Sequence, residues 1–283
     1  MAMSFNAAAH GPGHFHGSEE RAALAEAVDV QETGIPVEAA DSDRAWGVSL
    51  ATGWESRHVH YGVDESGPSG AYFNEIGVRI GDFSVNVWNG LGLGNQLVEW
   101  DFTAGYNIGV GPVFLVPGYN LRYVPRYAKD SHGGEEEGHD DHGHEEEEHG
   151  EDHSEHVHNT YGNELFLVLG TTAIPYVTPS AVYIWDLNNS PGGFLEFRLD
   201  GEVPVYKDVI SLQPYALLGL NFGYNTTEVD GLNNFQFGLQ ANCRLCEWAS
   251  FFAGANYSVA LPALEAIDQD NVFWVNVGLS FAY

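Results

Sequence analysis

The sequence ends on Val272-Phe-Trp-Val-Asn-Val-Gly-Leu-Ser-Phe-Ala-Tyr283, in which large apolar side chains occupy every second position. Successive side chains of a β-strand point to opposite faces, so a period of two predicts a strand with one apolar face. A helix would instead repeat its apolar residues at every third or fourth position. The apolar face of this last strand would hold Phe273, Val275, Val277, Leu279, Phe281 and Tyr283.

The same alternation continues upstream through most of the chain. Between residues 97 and 109, for example, Trp100 and Phe102 alternate with Glu99 and Asp101. No run of about 20 apolar residues, the length that a membrane helix needs, interrupts the pattern. We therefore predict an all-β fold with strands at 46–61, 71–80, 83–90, 97–109, 112–125, 163–171, 178–187, 194–203, 210–224, 234–244, 249–260 and 272–283.

Composition indicates that the outer surface of these strands faces lipid, because lysine is scarce. The chain has 10 Lys plus Arg against 40 Asp plus Glu, a net charge of −30. Its only lysines are Lys129 and Lys207, whereas soluble β-proteins place many lysines on strand edges and solvent-facing positions. The acidic excess argues against a nucleic-acid partner, because phosphate backbones would be repelled.

Aromatic residues and connection lengths point the same way. Tyr and Trp lie toward the predicted strand ends, as in the aromatic girdles of membrane barrels: Trp46, Tyr61, Tyr72, Trp88, Tyr123, Trp185, Trp248 and Tyr283. Tight connections alternate with longer ones, with a short exception at 188–193. We predict an antiparallel, up-and-down transmembrane β-barrel of about twelve strands in the outer membrane of a Gram-negative-type bacterium, in contact with outer-membrane lipid. A soluble lipocalin-like barrel has the same period and stays an alternative.

The two ends of the chain suggest how the protein is delivered. Its final aromatic strand resembles the segment by which outer-membrane barrels are recognised for insertion, so the barrel-assembly machinery is an expected partner. Residues 1–9, which close on Ala7-Ala8-Ala9, resemble the end of a signal peptide; an ordinary N-terminal segment is the alternative. We expect a flexible periplasmic tail over 10–45 and the barrel over 46–283.

Three segments carry a family resemblance. Trp54-Glu-Ser-Arg-His-Val-His-Tyr-Gly62, Gly81-Asp-Phe-Ser-Val-Asn-Val-Trp88 and Glu99-Trp-Asp-Phe-Thr-Ala-Gly-Tyr106 resemble a family of small outer-membrane porins sometimes called the TorF type. The likeness covers most of residues 46–283 and implies a fold and a location rather than a substrate. A histidine-rich insertion departs from the family pattern.

Strand parity points a set of charged side chains into the barrel. The predicted pore-lining residues are Glu55, Arg57, Arg79, Glu99, Asp101, Arg122, Asp186, Glu196, Arg198, Asp200 and Arg244, with Glu75 on the same face. Such a set could select permeating solutes, or it could be a salt-bridge network that only braces the barrel. Inward Phe114, Val116, Phe166, Val168, Phe252 and Trp274 predict that any pore is narrow.

The insertion at 127–160 predicts a disordered extracellular loop. Acidic residues interleave with eight of the chain's 13 histidines, and apolar residues that could offset the entropy of ordering are nearly absent. Imidazole suits Zn²⁺, Cu²⁺ and Ni²⁺, so we expect this loop to bind divalent ions of these metals loosely. The alternative is a solvated acidic loop that binds no metal. The predicted ligands are His132, His139, His142, His144, His149, His153, His156 and His158.

These features predict a passive channel-forming barrel for small solutes or cations, with a metal-binding loop outside. A closed structural or adhesive barrel is the first alternative, and an outer-membrane enzyme such as a lipase or protease is the second. The sequence contains no H-E-x-x-H motif and no nucleophile elbow, so we expect no catalysis. His58 and His60 are expected at the barrel rim, in the headgroup zone; the alternative is that they add metal ligands.

Overall fold

The computed structural model describes residues 46–94, 98–126, 158–188, 192–207 and 209–283. The predicted signal-peptide remnant at 1–9, the tail at 10–45 and nearly all of the loop at 127–160 lie outside these described residues. Of the predicted loop ligands only His158 falls within them, as the first residue of a strand. Among the described residues, no helix has the length and hydropathy that crossing a membrane requires.

Sixteen strands and one short helix make up the described chain. The strands are β1 (Trp46–Glu55), β2 (Val59–His60), β3 (Val63–Asp64), β4 (Ala71–Ile80), β5 (Phe83–Gly92), β6 (Val98–Tyr106), β7 (Ile108–Val110), β8 (Val113–Arg126), β9 (His158–Thr171), β10 (Val177–Asp186), β11 (Gly193–Gly201), β12 (Val203–Tyr206), β13 (Ile210–Phe222), β14 (Gly231–Cys246), β15 (Ala249–Ala260) and β16 (Val272–Ala282). The α-helix α1 is Pro262–Glu265, and a 3-10 turn spans Gly67–Ser69.

The large sheet closes on itself as an antiparallel barrel. Strand β1 pairs with β4 on one side and with β16 on the other, and β11 pairs with β13 to complete the ring. Strands β6 and β7 are two parts of one membrane crossing, as are β11 and β12, so the barrel wall has twelve strands. The predicted fold class is therefore confirmed.

Connections at the two ends of the barrel differ in length. The end that carries Trp46 and Tyr283 has tight turns, such as Gly81-Asp82 and Gly111-Pro112, while the opposite end carries 56–70, 223–230 and 261–271. Membrane barrels place short turns on the periplasmic side and long loops outside. We therefore call the Trp46 end periplasmic and the opposite end outer.

Large apolar side chains cover the outside of the barrel. On β6 Trp100 and Phe102 are exposed, whereas Glu99 and Asp101 between them are buried. A water-soluble barrel would show the opposite arrangement, with the apolar face inside. The exposed apolar exterior therefore faces lipid.

Exposed aromatic rings lie at the barrel ends. Trp46 and Tyr283 contact each other at the periplasmic end, with ring centroids 6.0 Å apart. Tyr72 and Trp185 are exposed at the outer end. Two residues that were predicted for the girdles are misassigned, since Tyr61 and Trp88 are buried inside the barrel.

The last strand joins the two ends of the barrel chain. Strand β16 pairs along its length with both β15 and β1. Beyond it, Tyr283 N donates to Val48 O at 2.9 Å and Tyr283 O accepts from Val48 N at 3.0 Å. In lipid an unpaired backbone group costs several kcal/mol, so this seam is essential for a stable barrel.

Apolar packing fills part of the interior. One cluster comprises Ala51, Phe73, Trp88 and Phe252. A larger one lines β8 to β11 and comprises Tyr61, Phe114, Val116, Phe166, Val168, Val182, Ile184 and Phe194. Phe114, Val116, Phe166, Val168, Phe252 and Trp274 are all buried, in agreement with the predicted inward face.

Candidate functional site

The segment between β1 and β4 enters the barrel. We call residues 56–70 the lumen hairpin, because β2 and β3 pair antiparallel within it. His58 is only 1% exposed and His60 only 3%. The predictions that strand 1 runs to residue 61 and that both histidines lie at the rim are therefore wrong, because the chain leaves the wall after Glu55 and folds inward.

The hairpin turn depends on its two central residues. Tyr61 and Gly62 both have positive φ, 47° and 85°, as a type I′ turn requires. A Cβ on Gly62 would lie 2.7 Å from Leu264 Cδ1 on α1, so glycine is needed for space as well as for conformation. Asp64 N donates to Gln269 Oε1 at 3.2 Å. The outer connection 261–271 therefore packs against the hairpin and hydrogen-bonds to it at the outer end of the barrel.

The tip of the hairpin reaches the far wall. The Tyr61 ring packs 4.7 Å from Phe194 on β11 and 5.0 Å from Tyr224, between ring centroids. Its carbonyl oxygen accepts hydrogen bonds from Asn233 Nδ2 at 2.8 Å and from Asn225 Nδ2 at 3.2 Å. The hairpin thus spans the lumen from β1 to the wall formed by β11, β13 and β14.

A histidine at the base of the hairpin is fixed on two sides. His58 Nδ1 lies 2.7 Å from Glu55 Oε1, and the imidazole stacks on Trp88 with ring centroids 4.8 Å apart. His58 Nε2 then faces Glu99 Oε2 on β6 at 3.4 Å. Both ring nitrogens are therefore turned toward wall carboxylates.

Arg122 on β8 connects the hairpin to the wall. Its guanidinium donates from Nε to Glu99 Oε1 and from Nη2 to Glu65 Oε2. Burial raises the pKa of Glu65, but Arg122 and His60 outweigh it, so that this pKa lies well below its ordinary value. Burial and the positive charge of Arg122 lower the pKa of His60. Glu65 is therefore ionised and His60 neutral at neutral pH.

Acidic groups predominate around this site. Asp101 pairs in register with Arg122 and is buried. Glu164 accepts hydrogen bonds from Tyr224 Oη and, at 3.1 Å, from Asn120 Nδ2. Asp186 is buried at the outer end of β10. The outer half of the lumen is therefore negative despite Arg122.

The other predicted pore-lining residues occupy the wall nearer the periplasm. Arg198 Nε bonds Asp200 at 2.8 Å, and its guanidinium lies 4.6 Å from the ring centre of Tyr215. Glu196 is buried on the same strand. Arg79 and Arg244 lie on inward strand positions and are half-buried. Ten of the eleven predicted residues thus lie on inward strand positions, namely Glu55, Arg79, Glu99, Asp101, Arg122, Asp186, Glu196, Arg198, Asp200 and Arg244.

Arg57 is the exception, because it lies in the lumen hairpin and not on a wall strand. Its guanidinium pairs with Asp64 across the hairpin. The strand-parity argument for Arg57 fails because β1 ends at Glu55. Length gave no signal, since β14 is a wall strand of 16 residues, as long as the predicted strand 46–61.

Neutral amides line the wall formed by β13 to β16. Tyr215 Oη donates to Asn256 Oδ1 and accepts from Gln236 Nε2, both at 2.9 Å. Gln213 Nε2 and Asn242 Nδ2 are buried and make no hydrogen bond to any group in the described part of the chain. This wall is polar but nearly uncharged, in contrast to β8 to β11, which carry both the larger apolar cluster and the buried acids Glu164, Asp186 and Glu196.

Solved structures with a similar fold include porins. The KdgM porin superposes with a TM-score of 0.51 and 8% identity over 83% of this chain and 99% of its own. A KdgM porin in complex with disordered oligogalacturonate gives 0.50 and 7% over 84% and 99%. A NanC porin in a rhombohedral crystal form gives 0.49 and 10% over 83% and 98%.

No protein-family model matches the sequence, and no curated protein matches it. The structural likeness at these identities establishes the fold. Together with the apolar exterior, which only lipid can cover, it assigns the chain to the outer membrane. The chain is therefore a twelve-stranded outer-membrane β-barrel with a porin-like fold.

Proposed function

We propose that the chain is a passive channel for small polar solutes or cations, narrowed in its outer half by the lumen hairpin. The amide wall carries this proposal. Gln213, Gln236, Asn242 and Asn256 point inward from β13, β14 and β15 and are each partly exposed, so the lumen beside them has room for water. Polar side chains of this kind are costly to enclose in a dry interior, and a continuous water path is what a channel needs.

Lumen charge supports a preference for cations or neutral solutes. Inward wall positions carry more carboxylates than guanidinium groups: Glu55, Glu75, Glu99, Asp101, Glu164, Asp186, Glu196 and Asp200 against Arg79, Arg122, Arg198 and Arg244. A cleft lined by one sign of charge concentrates the opposite sign. One structural neighbour is a porin in complex with an oligogalacturonate; a polyanion of that kind would be repelled by the acidic outer lumen of this barrel.

The proposal also covers the family of the chain, its route to the membrane and the loop at 127–160. The family would be the TorF type, the mature chain would follow a signal peptide, and the barrel-assembly machinery would read the C-terminal strand. The extracellular loop at 127–160 would bind Zn²⁺, Cu²⁺ or Ni²⁺ near the pore mouth, since imidazole ligands suit these ions. Titrating metal into the full chain and into a variant without residues 130–157 tests the loop: equal uptake by both would exclude it as the metal site.

Single-channel recording in planar bilayers tests the channel. The folded full chain should give small, cation-selective openings. A variant in which 57–69 is replaced by a short glycine-serine linker should give larger openings, because the obstruction is removed while the wall is unchanged. Folding of both proteins is checked by heat-modifiable migration on a gel. A folded barrel that stays silent in both forms would exclude the channel.

A closed structural barrel is the second candidate. The observation that favours it is the amount of apolar packing inside, where the cluster on β8 to β11 continues onto Tyr61 of the hairpin. In that case the hairpin would act as a permanent plug. The linker variant separates the two, since a plugged barrel conducts only after the hairpin is removed.

A further inference from the structure

We propose that His58, Glu65 and Glu99 form a binding site for a divalent transition-metal ion of the Zn²⁺ class, inside the barrel where the lumen hairpin meets the wall. Each residue offers one ligand atom, and the three atoms lie within 4.8 Å of one another. The site is distinct from the histidines of 127–160 and does not depend on whether the barrel conducts.

The histidine is oriented as a metal ligand would be. Metal-bound histidines almost always bond their second ring nitrogen to a carboxylate, a carbonyl or water. His58 Nδ1 is 2.7 Å from Glu55 Oε1, and stacking on Trp88 restrains rotation of the ring. Nε2 is therefore presented to Glu99, with Glu55 as the orienting carboxylate.

The distance between two of the ligand atoms fits a small tetrahedral ion. Zn²⁺ bonds of about 2.0–2.1 Å to nitrogen and oxygen give a tetrahedral edge of about 3.4 Å between two ligand atoms. His58 Nε2 and Glu99 Oε2 are 3.4 Å apart, which is longer than an ordinary N–H···O hydrogen bond. Glu99 Oε2 is fully buried and has no hydrogen-bond partner among the described residues, and a metal ion would supply one.

Arg122 fixes both carboxylates and, on Glu99, leaves unused the oxygen that faces His58. It holds Glu99 by Oε1 and Glu65 by Oε2, whereas the second oxygen of Glu65 lies 3.8 Å from His60 Nδ1. The site therefore combines imidazole nitrogen with carboxylate oxygens, a donor set that Zn²⁺ accepts. Three protein ligands leave a fourth position for water.

Charge also favours a cation at this position. Glu55, Glu65 and Glu99 converge on the site, and Asp101 lies beside Arg122. These four carboxylates share the single positive charge of Arg122, and burying several carboxylates around one cation is costly. A dication would offset two more and would tie the hairpin to β6.

Calorimetric titration of Zn²⁺ into the full chain in detergent micelles at pH 7.5 tests the proposal. We expect one tight equivalent in addition to weaker uptake by the acidic segment. Glu99→Gln and His58→Ala should each weaken the tight equivalent at least 100-fold, because each removes a ligand. Glu75→Gln, which neutralises another buried lumen carboxylate, is the matched control and should leave the tight equivalent unchanged.

Folding of every variant is checked by heat-modifiable gel migration. If Glu99→Gln fails to fold, Glu55→Gln replaces it, and loss of the orienting carboxylate should weaken binding by about 10- to 100-fold. Equal tight binding by the wild type and the folded ligand variants, or no tight equivalent in the wild type, would overturn the proposal. Tight binding by a barrel that does not conduct would retain this site and reject the channel.

Discussion

Truncating the tip of the lumen hairpin, Tyr61→Ala, should open the barrel. Tyr61 is 7% exposed and packs against Phe194 and Tyr224. Replacing a buried aromatic residue by alanine costs about 3–5 kcal/mol. Alanine keeps the Cβ and the backbone carbonyl, so the strain at positive φ and the hydrogen bonds from Asn225 and Asn233 stay in place. The loss therefore falls on packing at the tip.

That loss converts into a change in hairpin position. At about 1.4 kcal/mol for each tenfold change in an equilibrium constant, a weakening of about 3 kcal/mol raises the undocked population by about 150-fold. Single-channel recording should then show openings that are more frequent or larger than those of the wild type. Tyr61→Phe, which keeps the ring, should behave as the wild type.

Tyr106→Ala is the matched control for an exposed aromatic residue. Tyr106 is 50% exposed on the lipid-facing side of β6, so its truncation should leave conductance unchanged. Recordings of folded Tyr61→Ala that match the wild type in amplitude and open probability would refute the idea that hairpin packing limits the pore.

Three further predictions concern charge, pH and closure. Arg122→Gln should destabilise the docked hairpin by about 3–5 kcal/mol, because it leaves buried carboxylates without their counter-ion, and it should shift ion selectivity toward cations. Arg198→Gln should shift selectivity in the same direction with a smaller effect on folding. Unchanged reversal potentials for both variants would argue against a charged pore. The pKa of His60 is lowered by burial and by Arg122, so docking of the hairpin is strongest above pH 6.5, the ordinary histidine value, and should weaken as the pH falls below it; an open probability that is flat from pH 7.5 to 5 would contradict this. The double variant Phe281→Ser, Tyr283→Ser should give much less assembled barrel on a heat-modifiability gel. Normal assembly of this variant would contradict the importance of the β16 seam.

Period-two alternation was enough to predict most of the wall. Residues 71–80 and 249–260 were predicted with the bounds that β4 and β15 have, because each strand keeps one lipid-facing apolar side and ends at a turn. The same parity pointed Arg122 and Arg198 inward. Alternation works here because lipid on one side and a polar lumen on the other impose opposite demands on neighbouring residues.

The lumen hairpin could not be predicted in the same way. Val59, Tyr61 and Val63 keep a period of two, but they occupy odd positions, whereas the apolar face of β1 holds Trp46, Val48, Leu50 and Trp54. The period alone therefore does not separate the hairpin from the strand before it. Tyr61 and Trp88 were placed in the girdles for the same reason, since an aromatic residue near a strand end suits either an interface or an interior. The far-wall contacts of Tyr61 lie more than 130 positions away in sequence, and no local pattern specifies contacts of that kind.

The bond from Asn233 to Tyr61 joins residues 172 positions apart, which has a consequence for how the barrel assembles. The hairpin belongs to the first connection of the barrel, while the strands that receive its tip belong to the second half. Its length is fixed, so only a barrel of the correct circumference brings β14 to the Tyr61 carbonyl. A ring closed with a strand missing would leave that carbonyl and the Asn233 amide unpaired in the interior. The hairpin contacts therefore favour the twelve-stranded ring over one that closes with a strand missing, although strand number and stagger set the diameter of the wall.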